Sequence, residues 1–190
     1  MQEIVEIRWH GRGGQGAVTA AKVLAEAALA EGKHIQAFPE YGPERMGAPV
    51  KAFDRLSDEY IKLHSQVYNP GIVVVIDHTL LGSVNVTEGL TEDGVLIVNS
   101  PKSPADIKKD LGLKSQKVYT VDATKISMET LRRFIPNTPM LGALVKSTGL
   151  VTLEKVLEEV KKMFGGKLKE EVIQGNLDAI KRAYEEVRGE

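Results

Sequence analysis

Residues 4–9, Ile4-Val5-Glu6-Ile7-Arg8-Trp9, alternate briefly between apolar and other side chains and run into His10-Gly11-Arg12-Gly13-Gly14-Gln15-Gly16, which predicts a strand feeding a glycine loop. Residues 17–31 are dominated by alanine with Val23, Leu24 and Leu29, a helix-forming composition, and Gly32 follows where a left-handed cap ends a helix. A second strand at 34–38 completes a βαβ unit. The continuous apolar runs at 72–76, 95–98 and 118–121 predict fully buried strands, separated by helical or irregular connections as a parallel sheet requires. Residues 50–56 alternate around Lys51, Phe53 and Arg55 and predict a short strand, at an edge or antiparallel, with its cations outward. Helix is predicted at 124–134 and 140–146, with Pro136 and Pro139 breaking the two apart. Leu153, Val156, Leu157, Val160, Met163 and Phe164 share one helical face, capped by Thr152 and ended by Gly165-Gly166. A last helix carries Val172, Ile173, Leu177, Ile180, Tyr184 and Val187, with Gly175 as a candidate break. Together these elements predict one α/β domain over residues 1–190: a mainly parallel, doubly wound, Rossmann-like sheet with helices on both faces.

Composition narrows the function classes. Lys+Arg of 25 against Asp+Glu of 26 leaves a formal charge of -1 over 190 residues, no field to draw in nucleic acid or an anionic membrane. The absence of cysteine removes a disulfide framework, a thiolate zinc site, a cysteine nucleophile and a cysteine-ligated iron–sulfur cluster. Any redox centre therefore belongs to a partner. Met1-Gln2-Glu3 has no basic leader character and the 72–76 run is far too short to span a bilayer, so the expected location is cytoplasmic.

Gly11, Gly13 and Gly16 form Gly-x-Gly-x-x-Gly between a strand and a helix, where backbone N–H groups and a helix N-terminus attract phosphate oxygens. Arg12 adds a bidentate cation to that loop. The same glycines also suit a tight turn with no ligand, and both readings stand. A dinucleotide site would place Asp or Glu at the end of the second strand, whereas Gln36-Ala37-Phe38-Pro39 stands there with Glu40 just beyond, which weakens NAD(P). Ala17-Val18 occupies the positions where a P-loop needs Lys and Ser or Thr, so ATP hydrolysis is not expected. Residues 39–49 carry Pro39, Gly42, Pro43, Gly47 and Pro49 and predict an ordered loop, whose Tyr41 and Arg45 either cover a ligand or dock another subunit. His10, and Asp77-His78 at a strand's C-terminal end, lack a third catalytic partner in sequence and are read as polar loop residues; His34 and His64 have no metal-ligand spacing. No catalytic residue and no metal ligand is assigned.

Gly11-Arg12-Gly13-Gly14-Gln15-Gly16 together with Tyr41-Gly42-Pro43-Glu44-Arg45-Met46-Gly47-Ala48-Pro49-Val50 resembles the gamma subunit of 2-oxoacid:ferredoxin oxidoreductases. The resemblance extends more loosely through residues 73–77, Asn99 and Asn137-Thr138-Pro139-Met140-Leu141-Gly142-Ala143, with Gly47-Ala48-Pro49-Val50 similar to the pyruvate and branched-chain members, pyruvate first. It implies an enzyme that oxidatively decarboxylates a 2-oxoacid, transfers the acyl group to coenzyme A and passes two electrons through iron–sulfur clusters to ferredoxin. It also implies alpha, beta and delta partner subunits holding thiamine diphosphate, magnesium and the 4Fe-4S clusters, since the thiamine signature is absent here. For this chain it implies a structural role and a contribution to coenzyme A binding by Gly11, Arg12, Gly13, Gly14, Gln15, Gly16, Tyr41 and Arg45. A stand-alone NAD(P)-binding domain and a purely structural scaffold are the rival readings.

Overall fold

A computed structural model describes residues 3–40 and 46–190. Strand β1 (Ile4–Arg12) leads through the glycine loop into helix α1 (Ala17–Ala30), followed by β2 (His34–Pro39), β3 (Pro49–Ser57), β4 (Ile72–Val75), β5 (Val95–Asn99), α2 (Pro104–Asp110) and β6 (Lys117–Val121). Helices α3 (Ala123–Leu131), α4 (Asn137–Thr148), α5 (Leu153–Phe164) and α6 (Glu170–Glu186) and a two-residue β7 (Arg188–Gly189) complete the chain, with a 3₁₀ turn at His78–Gly82 after β4.

One seven-stranded sheet has the order β2-β3-β1-β4-β5-β6-β7. Strands β1, β2, β4, β5 and β6 run in one direction, while β3 and β7 run against them. The first forty residues are therefore not a simple βαβ unit: β3 inserts between β1 and β2 and pairs antiparallel with both. Nor is β3 an edge strand with its cations outward. Arg55 is buried, with Nε 2.7 Å from Glu6 Oε1, Nη1 3.2 Å from Gln36 Oε1 and its guanidinium 5.5 Å above the Phe38 ring.

Two cores flank the sheet. On one face Ile7, Trp9, Val74 and Ile97 pack with α1 and α3–α6; on the other, Val73, Val75, Leu96, Val98 and Val118 pack with Leu80, Val86 and Ile107 from the 3₁₀ turn, its following loop and α2. Helices thus cover both faces, unequally. The alanines of α1 explain its place: Ala20, Ala21, Ala27 and Ala28 are all buried, so the helix approaches the sheet on one side and α4 and α5 on others. Gly32, at φ +86, ends α1 as predicted. Pro139 falls within the first turn of α4, where its missing N–H has no intrahelical acceptor to lose, so Pro136 alone marks the break. Gly175 does not split α6; the helix runs through it, and the close passage of α3 leaves little room for a Cβ there.

Candidate functional site

The site lies at the carboxyl ends of β1 and β4, the end of an α/β sheet where ligands bind. Gly11 and Arg12 are the last residues of β1, and the register pairs Arg12 with Pro49. That ladder continues past the strands: Gly13 N–H donates to Ala48 O (2.8 Å) and Gly47 N–H to Gly13 O (3.1 Å). The two motifs that carry the family resemblance are thus one piece of backbone. Gly14 and Gly16 take φ +93 and +78, the left-handed region that favours glycine. The Met46 sulfur lies over Gly14, 2.7 Å from where a Cβ would stand, while Met46 itself is 89% exposed. Tyr41 and Arg45 lie outside the described residues.

Asp77 organises the loop from beneath. Its Oδ1 accepts from Thr79 N (2.9 Å) and Thr79 Oγ1 (2.6 Å), and its Oδ2 accepts from Gln15 Nε2 (2.6 Å). Gln15 in turn accepts from Arg12 N–H through Oε1 at 2.8 Å. The Gln15 side chain is therefore a brace inside the loop. Arg12 Nε and Nη2 donate to Thr79 Oγ1 (3.2 and 2.9 Å), Nη1 donates to Gly47 O (3.1 Å), and Nε lies 3.3 Å from Asp77 Oδ2. Burial pushes the Asp77 carboxyl up, but the Thr79 and Gln15 hydrogen bonds with the Arg12 charge outweigh it and hold the group below its ordinary range. Asp77 is thus an anion at neutral pH, and Arg12 keeps one free N–H on each of its terminal nitrogens.

What remains for a ligand is those two Arg12 N–H groups and backbone. Gly13 and Gln15 donate their N–H groups to Ala48 O and Arg12 O, so a ligand at the loop would meet the first turn of α1 and the other loop amides. Gly16 is the N-cap of α1 and no side chain caps that helix. Asn137, the first residue of α4, lies against Gly16 and donates from Nδ2 to its carbonyl at 3.2 Å.

His10 is 2% exposed, accepts from Arg8 Nε at its own Nε2 (2.9 Å), and has its pKa lowered to about 3 by burial, with the charges of Arg8 and Lys51 adding to it. It is a neutral acceptor pinned in the sheet, and Arg8 reaches on to the carbonyls of Val86 and Glu88. His78 is exposed. Among the described residues no group of three His, Cys, Asp or Glu side chains could hold a metal. A cleft of about 510 Å³ lined by Glu3, Glu6, Asn69, Asp93 and Lys117 opens at the opposite, amino ends of the strands, away from the glycine loop.

Thr79 was missed in sequence, although Asp with Thr two residues on is a local hydrogen-bonding pattern that could have found it. Nothing in the local sequence joins Asn137 to a loop 121 residues earlier.

With this geometry in place, comparison with known proteins is informative. The profile of the family described as pyruvate ferredoxin/flavodoxin oxidoreductase matches residues 6–186. The chain is 56% identical over 183 residues to the pyruvate synthase subunit PorC of Thermotoga maritima, covering 96% of this chain and 94% of that protein. It is 50% identical over 185 residues to the pyruvate/ketoisovalerate oxidoreductases common subunit gamma of Pyrococcus abyssi, covering 97% and 98%. The crystal structure of the T. maritima pyruvate oxidoreductase subunit PORC superposes with a TM-score of 0.87 at 51% identity, covering 99% of each chain. A likeness of fold alone, TM-score 0.79 at 19% identity, links 96% of this chain to 31% of a 2-oxoglutarate:ferredoxin oxidoreductase chain from Magnetococcus marinus solved with 2-oxoglutarate, coenzyme A and succinyl-CoA bound.

Proposed function

The chain belongs to the pyruvate ferredoxin/flavodoxin oxidoreductase family as the gamma subunit of a pyruvate or 2-oxoacid:ferredoxin oxidoreductase complex, and on that premise we propose that it helps the complex bind coenzyme A at the glycine loop. The observation that carries this reading is the uncapped N-terminus of α1, held open by a loop whose polar side chains are turned inward. A phosphate there meets the first-turn amides of α1, the N–H groups of Gly14 and Gly16, and the two free N–H groups of Arg12. The Magnetococcus relative of like fold, solved with coenzyme A, supports the ligand class.

With no cysteine, the chain supplies no thiolate for an iron–sulfur cluster. In our reading thiamine diphosphate, magnesium and 4Fe-4S clusters sit in alpha, beta and delta partners, which deliver electrons to ferredoxin, and the whole 1–190 chain acts as one gamma-type domain in a cytoplasmic assembly. No helix among the described residues is long and apolar enough to cross a membrane. Exposure of Met46 directly over Gly14 favours a partner subunit closing over the second loop, so ligand and subunit contacts meet there. The nicotinamide alternative loses its geometric basis because β3 separates β2 from β1, which moves the end of β2 about 10 Å from the glycine loop strand.

Arg12→Gln in the assembled complex is expected to raise the half-saturating coenzyme A concentration about tenfold, the loss of a charge-assisted hydrogen bond, and Arg12→Glu to raise it further. Steady-state rates of viologen reduction against coenzyme A and against pyruvate measure this. Unchanged coenzyme A dependence in both variants would overturn the assignment.

A further inference from the structure

The sheet has two edges, and only one of them is blunted. At one end β7 is two residues long and carries Arg188, which donates to the carbonyls of Pro101 and Lys102. Short edge strands and charged residues are the usual devices against pairing with another chain. At the other end β2 runs for six residues, His34-Ile35-Gln36-Ala37-Phe38-Pro39, with no Lys, Arg, Asp or Glu among them.

Which backbone groups of β2 are used follows from its ladder. Glu40 N–H donates to Lys51 O (3.0 Å), one step past the register that pairs Pro39 with Ala52. In an antiparallel pair successive residues bond alternately to one side and the other. Phe38, Gln36 and His34 therefore bond to β3, while Ile35, Ala37 and Pro39 turn their backbone outward. Pro39 has no N–H, which an outward position on an edge strand tolerates. The N–H and C=O groups of Ile35 and Ala37 have no hydrogen-bond partner among the described residues.

The space beside them is a groove. Helix α1 packs on one face of β2; on the other, Gln36 Nε2 donates to Leu63 O (2.9 Å) and holds the segment after β3 in place. A cavity of about 340 Å³ lies between Ala37 and Phe38 of β2 and Leu63, His64 and Ser65 of that segment. Residues 58–71 form no helix or strand, and connections of this length without an element of their own are mostly functional. Ile61 and Val67 are buried, whereas Tyr60 is 68% and Leu63 43% exposed. The Tyr60 ring meets His34 edge-on at 6.0 Å, at the start of β2.

We propose that β2 is a docking edge, to which an extended segment of a partner subunit adds as an eighth strand, pairing with Ile35 and Ala37 and seating side chains in the groove against Leu63. The chemistry of the edge selects this occupant: unpaired N–H and C=O groups on alternate residues are matched by another extended backbone. An uncharged edge flanked by an exposed tyrosine and leucine suits burial in an interface. Membership of a multi-subunit oxidoreductase supplies the partner. The added strand stops at Pro39, which has no donor to give it. Nothing in this docking depends on coenzyme A binding at the glycine loop.

Amide hydrogen exchange of the purified chain and of the assembled complex is the test. In the purified chain Ile35 and Ala37 should exchange fast and Gln36 and Phe38 slowly, since only the latter bond to β3. In the complex, exchange at Ile35 and Ala37 is expected to slow about tenfold or more. Unchanged exchange on assembly would overturn the proposal. Slowing that already appears in the purified chain as its concentration rises would also overturn it, because the occupant is then a second copy of this chain. Ala37→Pro removes only an outward donor, so the variant is expected to melt close to the parent and to be recovered with its partner subunits about tenfold less, the loss of one hydrogen bond. A folded variant that assembles as well as the parent would show that no strand is added there, whatever the exchange shows. If Ala37→Pro does not fold, Ile35→Pro has the same expected outcomes, and if neither folds the exchange comparison decides alone.

Discussion

Gly142→Ala is expected to lower the melting temperature by about 6 °C. Gly142 sits mid-way along α4, facing the backbone of α6. A Cβ there would overlap the Ile180 carbonyl oxygen and stand 2.9 Å from its carbon and 3.1 Å from Tyr184 N. No rotamer change relieves a clash with backbone, so the two helices must separate across a core that includes Leu141, Leu144, Leu177 and Ile180. Overpacking of this kind costs about 3 kcal/mol, and each kcal/mol shifts the midpoint of a chain this size by about 2–4 °C. Alanine's better helix propensity works the other way by about 1 kcal/mol. If propensity dominated, the melting point would rise, so the sign alone decides. Gly175→Ala is the internal control: its Cβ would meet the flexible Leu131 Cδ2 at 2.8 Å and Thr130 O at 3.0 Å, and calorimetry of the purified chains should show a loss of no more than about 1 kcal/mol. Equal losses in the two variants would mean that the α4–α6 approach is not the tight one.

The contrast between these glycines shows what sequence could and could not disclose. Gly32 and Gly165 were legible because helix ends have a local chemistry. Gly175 looked like a helix break, and nothing marked Gly142 within its predicted helix, because their reason for being glycine is another helix, distant in the chain. The same limit governs the sheet. The runs at 72–76, 95–98 and 118–121 became adjacent parallel strands, since an uninterrupted apolar run has few other places to go. Residues 50–56 revealed a strand but not its neighbours: with Arg55 and Lys51 on one side, alternation implies a wet face, and only tertiary structure supplies Glu6, Gln36 and Phe38 to a buried guanidinium, whose Nη2 still lacks a partner.

At the site, the glycine loop was legible as a turn between a strand and a helix, and its company with residues 41–50 as a family signature. The physical link between them, an extension of the β1–β3 ladder through Gly13, Gly47 and Ala48, required the antiparallel insertion that alternation could not place. Gln15 reads in sequence as a ligand contact; that its side chain also braces the loop was hidden, because Asp77 arrives beneath it 62 residues later.

Asp54→Asn should melt above the parent chain at about pH 8, with the difference closing as the pH falls toward about 4. Asp54 lies on β3 under α1, fully buried, with Oδ2 2.7 Å from Trp9 Nε1 and Oδ1 without a hydrogen-bond partner. Burial pushes its carboxyl well above the usual range, and the single indole hydrogen bond offsets only part of that. In the unfolded chain the same group ionises near pH 4. Between that point and its folded pKa the native state holds a proton that the unfolded state has lost, so Asp54 makes the chain less stable as pH rises through this window and more stable as pH falls. Asparagine keeps an oxygen for the Trp9 indole and cannot ionise, which removes the pH-dependent penalty and leaves the rest of the core in place. Thermal melts of both chains across that pH range test this directly. A difference that stays constant with pH would show that Asp54 does not change protonation on folding, and a lower melting point for the variant at pH 8 would show that the carboxylate, not the acid, is the form the core holds.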